Sequence, residues 1–407
     1  MAVATVAAVV PLAVVGAQSA SSPAVKASLE PVLKAKPGPA VKASPGPAVT
    51  TTFEPAAVSA VTLAEPAVVI TPGQDVPDPF VVRDAGLYFM FASQEQFFGA
   101  NVPLMVATSL TDWQGSTVDA MPTLPPWAAP GFTWSPDVRH LDGRWVMWFN
   151  ASLAGAAFGA TKCIGVATAT SVVGPYRSSA TAPLICQLAH LGSIDPRTFV
   201  DPEGRLWLTW KSDDNADLDA STHSTIWVQQ LTPDGLQLLG NPTPLLTADQ
   251  PWEGRIVEAP DMVFAAGHFW LFFSGNWFNQ PVYSIGVSEC EGPTGPCLQT
   301  SSGPWLSTDA EGAGPGEESL FYDGHRWWML YAPFSANSQS TNPRPAALAR
   351  VVFDAGGPEV VSPASPWWGR AGSPPANGAA RIELVSGSRS RSLPEDCLGL
   401  LGATGCL

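Results

Sequence analysis

The sequence predicts an all-β fold, a five-bladed β-propeller of antiparallel blades. Three observations predict it. The first is composition: 16 Trp, 37 Gly and 41 Pro among 407 residues describe short aromatic strands joined by tight turns. The second is a repeated strand type, rich in aromatics and preceded by glycine: GLYFMFAS (86–93), GRWVMWFNAS (143–152), GRLWLTWKS (204–212), GHFWLFFSGN (267–276) and GHRWWMLYAPF (324–334). The third is order. Each of these strands follows a run such as PFVVRD, SPDVRHLD, RTFVDPE, PDMVFAA or ESLFYD, and precedes one such as PLMVATS, CIGVATATS, TIWVQQLT, SIGVSEC or AALARVVFD. Five units thus recur at a period of about 60 residues. A lone meander of three or four strands cannot bury both faces, but five arranged radially can. A β-sandwich would need the same three-part order five times by coincidence.

Along the chain, residues 1–20 (MAVATVAAVVPLAVVGAQSA) resemble the hydrophobic and cleavage regions of a secretory signal, without its basic start. Pro11 and the many small residues favour an export signal over a membrane anchor, so a secreted, extracellular protein is expected. Residues 21–60 are an Ala/Pro-rich linker that contains the octad repeat KAKPGPAV and KASPGPAV. Residues 61–360 are expected to form the propeller, and 361–407 a C-terminal extension. The net charge is −15. Residues 1–59 hold four Lys and two Glu, so the acidity lies in the remainder. That excludes nucleic acid and an anionic membrane surface as partners. A monomer is expected. The apolar fraction of 45% is ample for a large core.

The six cysteines lie in three local pairs. Cys163–Cys186, Cys290–Cys297 and Cys397–Cys406 are the expected disulfides, in keeping with an exported chain. No Cys-x-x-Cys or Cys/His cluster speaks for zinc.

Carboxylates mark the start of the first strand in each unit. They appear as PDPF around Asp78, SPDV around Asp137, SIDPR around Asp195, VEAPD around Glu258 and GPGEES around Glu317 and Glu318. Glu258 is the sharpest signal, because an unpaired carboxylate in an apolar strand costs several kcal/mol. In a propeller the innermost strands line the channel, so Asp78, Asp195 and Glu258 should converge on one mouth. Asp137 and Asp261 are read as structural, and Asp201 and Glu203 as loop residues. Trp145, Trp148 and Trp328 are read as inter-blade core.

These motifs, in this order and at blade spacing, resemble glycoside hydrolase family 43 over about residues 70–355. The family comprises five-bladed propellers that cleave arabinan and xylan. The resemblance implies Asp78 as general base, Asp195 as the residue that tunes and orients the acid, and Glu258 as general acid. It implies inversion, with acid and base about 6.5–9.5 Å apart, and an Asp195 charge that helps Glu258 keep its proton. The expected partner is a plant- or cell-wall-type polysaccharide or oligosaccharide. Trp134, Trp277 and Phe278 are the candidate sugar platforms, and Trp134 serves equally well as core. Glu317 and Arg344, the latter in NPRP, are further candidate substrate contacts. Many family members carry a histidine within Gly-Pro-Gly-His, often near a metal. Here Glu317 takes its place, so no cofactor is expected and a central calcium lacks its usual ligand. A retaining fructan-cleaving propeller would need Asn-Asp-Pro-Asn and Arg-Asp-Pro, which are absent. A sugar-binding propeller without turnover is the non-enzymatic alternative.

Overall fold

The computed structural model describes residues 68–361, apart from 72, 95–98, 114–117, 158, 217–220, 309–312 and 335–342. Every described sheet is antiparallel, and there are five. The first blade orders Phe80–Asp84, Leu87–Phe91, Pro103–Ala107 and Val118–Asp119. The second orders Ala128–Leu141, Arg144–Leu153 and Lys162–Ala169. The third runs Ser193–Val200, Leu206–Ser212, Thr225–Leu231 and Leu238–Thr247, and the fourth Val257–Ala265, His268–Gly275, Ser284–Cys290 and Cys297–Gln299. In the fifth, Ser319–Tyr322, Trp327–Tyr331 and Ala347–Asp354 pair in sequence order. Each predicted strand triplet is present.

The fifth blade closes the ring with both ends of the described chain. Val68–Val69 pairs with Leu348 and Ala347, and Gly357–Val361 pairs further along the same strand, from Arg350 to Asp354. The N-terminal closing strand was not anticipated.

The aromatic strands are apolar on both faces because a blade is covered on both sides. Five buried clusters fill the five joints between neighbouring blades. Phe149 and Trp145 face the first blade, whereas Trp148 and Val146 of the same strand face the third. Trp148 is fully buried and its indole donates to the Gly235 carbonyl at 3.1 Å. Trp145, Trp148 and Trp328 are core, as expected. Burying an aromatic of this size contributes on the order of 3 kcal/mol.

Polar latches also hold the joints. Asp137 accepts the main-chain N–H of Thr198, in the third blade. Asp261 does the same for Leu320 of the fifth at 2.6 Å. Ser319 donates to the Pro79 carbonyl at 2.6 Å, which ties the last blade to the first. Asp201 accepts from the Trp207 indole at 2.8 Å and from Arg205, and Glu203 lies exposed beside it. Disulfides join Cys163 to Cys186 and Cys290 to Cys297. The expected Cys397–Cys406 bond lies outside the described residues, as do the signal-like segment, the linker and the C-terminal extension.

Candidate active site

At one mouth of the channel the first strands carry a ring of bent backbone. Asp78, Ser135, Asp195, Ala259 and Glu317 all have φ between 48° and 57°. Such left-handed conformations are uncommon outside glycine and are concentrated at functional sites. The strand register shifts at this position in the second, third and fourth blades. A bulge of this kind re-aims the side chains next to it. The residue that follows is proline in four blades (Pro79, Pro136, Pro196, Pro260) and Glu318 in the fifth.

The result is a cavity of about 510 Å³ lined by Asp78, Asp195 and Glu258. Its walls include the five other predicted residues, Trp134, Trp277, Phe278, Glu317 and Arg344. Three blades thus bring the three carboxylates together. Trp134 and Trp277 are half-buried, and Phe278 is 47% exposed, so all three offer ring surface.

Asp78 accepts a hydrogen bond from Ser93 Oγ, and its own N–H donates to Glu317 Oε2 at 3.2 Å. Burial pushes its carboxyl well above the usual range, and the charges of Glu317 and Asp195 push it further. Asp195 accepts from Ser135 Oγ at 2.9 Å and from the N–H of Ala259 at 3.0 Å. Burial, then the Glu258 charge, raise it to about 6, against the opposing pull of Lys211.

Glu258 has two donors. Lys211 Nζ lies 2.8 Å from Oε2, and Tyr283 Oη lies 2.8 Å from Oε1. Gly316 makes room for Tyr283: a Cβ there would lie 2.0 Å from the ring. Lys211 is only 1% exposed and also sits 3.6 Å from Asp213, whose other oxygen is 3.3 Å from Lys162. Burial works against the Lys211 charge, but Glu258, Asp213 and Asp195 outweigh it and raise its proton affinity. Lys211 and Tyr283 were both missed in the sequence. Lys211 had a signal, since it is a charge in an otherwise apolar strand.

Glu317 Oε1 pairs with Arg344 Nη1 at 2.6 Å. Both of its oxygens are therefore engaged, and a guanidinium fills the space beside it. These residues do not fit a cation at the place of the family histidine. Among the described residues, no group of three or more His, Cys, Asp or Glu is placed to hold a metal.

The family model described as glycosyl hydrolases family 43 matches residues 69–358. The chain belongs to that family. It is 23% identical over 269 residues to the extracellular endo-alpha-(1->5)-L-arabinanase 2 of Bacillus subtilis (strain 168), which covers 58% of this chain and 52% of that protein. It is 25% identical over 263 residues to the extracellular endo-alpha-(1->5)-L-arabinanase of Thermotoga petrophila, which covers 54% of this chain and 50% of the relative. The chain thus matches about half the length of these relatives. Among solved structures, a thermostable family-43 glycoside hydrolase superposes with a TM-score of 0.62 at 23% identity, over 72% of this chain and 96% of the other. The Cellvibrio cellulosa alpha-L-arabinanase complexed with arabinohexaose gives 0.56 at 18%, over 70% and 95%. Those two likenesses establish the propeller fold.

Proposed function

We propose that this family 43 protein is a secreted, inverting glycosidase of arabinose- or xylose-containing polysaccharide, with arabinan the favoured substrate. One observation carries the reading: Asp78, Asp195 and Glu258, from three different blades, line one cavity with aromatic walls. The activities of those relatives favour an α-1,5-linked arabinan. Their extracellular setting and the two disulfides support secretion.

Cleaving a glycosidic bond requires a proton for the leaving oxygen and an activated water on the opposite ring face. Glu258 supplies the proton. Lys211 donates to its Oε2 and Tyr283 to its Oε1, so the carboxyl is held in one orientation in the cavity. Asp78 takes the proton from water. The Ser93 hydroxyl and the Glu317-held amide fix its direction. Asp195 pins the Ala259 amide next to Glu258 and so orients the acid.

The test uses single variants on linear arabinan and on a dinitrophenyl glycoside, with the product anomer followed by NMR. Both Asp78→Ala and Glu258→Ala should lose about 10²–10⁴-fold on arabinan. Glu258→Ala should recover on the dinitrophenyl substrate, whose leaving group needs no proton, and Asp78→Ala should not. The opposite pattern reverses the roles. Unchanged rates in both variants place the site elsewhere, and a parent that binds arabinan without turnover is a binding propeller.

A further inference from the structure

We propose that Glu317 is the positioning residue of Asp78, holding the Asp78 main chain in place of an acceptor that the ring lacks at this joint. The proposal deepens the reading of Asp78 as general base and rests on it.

The argument starts from the five bent residues. A left-handed residue turns its N–H out of the strand ladder, so that donor needs another partner. At three joints the partner is a side chain on the second strand of the preceding blade or just past its end. Ser93 Oγ accepts from Ser135 at 2.8 Å, Asn150 Oδ1 from Asp195 at 3.2 Å, and Ser274 Oγ from Glu317 at 2.9 Å. These three acceptors occupy one structural position. Asn150 and Ser274 pair with Trp134 and Glu258, each the residue before its blade's bend. The Ser93 N–H likewise bonds the carbonyl of Pro77, the residue before Asp78.

The same position holds Lys211 in the third blade, paired with Ile194, and Ala332 in the fifth, whose N–H bonds the Gly316 carbonyl. An ammonium and a methyl group accept nothing. At these two joints, the bent residue of the preceding blade reaches across with its own carboxylate. Asp195 Oδ2 takes the Ala259 amide at 3.0 Å, and Glu317 Oε2 takes the Asp78 amide at 3.2 Å. Glu317 is itself fixed by Arg344, which is 2% exposed and whose Nη2 is anchored 2.5 Å from the Ala332 carbonyl.

The contact acts on Asp78 in two ways. It orients the backbone that carries the base, and it places a negative charge beside it. The charged groups facing Asp78 are Glu317 and Arg344 from the fifth blade and Asp195 from the third. The Ser93 hydroxyl faces it from its own blade. Lys211, Glu258 and Tyr283 share the cavity. After burial, Glu317 is the leading influence that holds a proton on Asp78, and Arg344 opposes it. An amide in place of Glu317 keeps the acceptor but removes the charge. An alanine removes both.

The experiment measures kcat, KM and the pH profile of kcat/KM for the parent, E317Q, E317A and the double variant E317A/A332S, on an aryl α-L-arabinofuranoside. Thermal melts verify folding. Parental turnover tests the glycosidase reading separately, and the variants test only Glu317. E317Q should stay within about tenfold of the parent in kcat, with its acid limb moved to lower pH as Asp78 loses a negative neighbour. E317A should lose about 10²-fold in kcat, with a smaller change in KM. A serine at 332 restores a hydroxyl at the position that Ser93 and Ser274 occupy, so the double variant should regain about tenfold. An E317Q profile with an unmoved acid limb, or an E317A protein with parental kcat, overturns the proposal. If the double variant does not fold, the comparison of E317Q with E317A decides.

Discussion

Replacing Glu318 with glutamine should flatten the pH dependence of stability. Glu318 stands where the other blades have proline, and it is fully buried. Its Oε2 accepts from Ser274 at 2.7 Å, and its Oε1 has no hydrogen-bond partner. Burial is the main cause that pushes its carboxyl from the ordinary 4.5 up to about 8; Asp261 adds to this, while Ser274 and Arg197 oppose it. A folded-state value above the unfolded one means the native protein keeps a proton that the unfolded chain has released. The stabilisation is complete below about pH 4.5 and is lost as pH rises towards about 8. The slope is about 1.4 kcal/mol per pH unit, so the parent should lose about 3 kcal/mol relative to Glu318→Gln between pH 5 and pH 7. For a folded region of this size that is a relative Tm change of about 5 °C. Melting both proteins at pH 5, 6, 7 and 8 at one ionic strength makes the comparison, and carboxylates that do not interact with Glu318 cancel in the difference. Parallel curves would refute the reasoning, wherever the variant's absolute stability lies.

Two further outcomes are expected. Trp134→Ala should raise KM for linear arabinan about tenfold or more, equivalent to about 1.4 kcal/mol, with kcat changed less; an unchanged KM would return Trp134 to the core. Replacing Cys163 and Cys186 by alanine, 23 residues apart, should cost about 3 kcal/mol in urea unfolding by loop-closure entropy, and an unmoved midpoint would contradict this.

The blades were legible because each strand triplet repeats the same order of strand types, with an aromatic strand after a glycine turn. The joints were legible for the same reason, since Trp148 and Trp328 lie in strands apolar on both faces. Val68–Val69 was not, because a two-residue strand carries no periodicity and takes its place only from Ala347 and Leu348. In the site, Asp78, Asp195 and Glu258 stood out as charges before proline or within an apolar run. Ser135 and Ala259 occupy the same bend, yet nothing but the following proline marks them. Lys211 showed its charge in an apolar strand, but its partner Glu258 lies across a joint, 47 residues away in sequence. Tyr283 was hidden because its partner depends on Gly316, a residue whose only visible property is having no side chain. Glu317 was noticed as a departure from the family pattern, but its hold on Asp78 spans 239 residues of sequence, and only the closed ring brings the two together.

That closure has a topological consequence. Val68 pairs with Leu348, and Val361 pairs with Arg350, on one strand. Both strands are antiparallel to it and therefore run in the same direction, so the end of one at Val361 meets the start of the other at Val68 opposite Ala349. With a strand rise of about 3.4 Å per residue, they stand about 7 Å apart along the strand. A linker of a few residues would therefore join them without bending either. The seam of this molecule is a gap in the outermost line of a single blade, so a permuted chain, opened within the exposed residues 202–204 and sealed opposite Ala349, would keep every sheet whole.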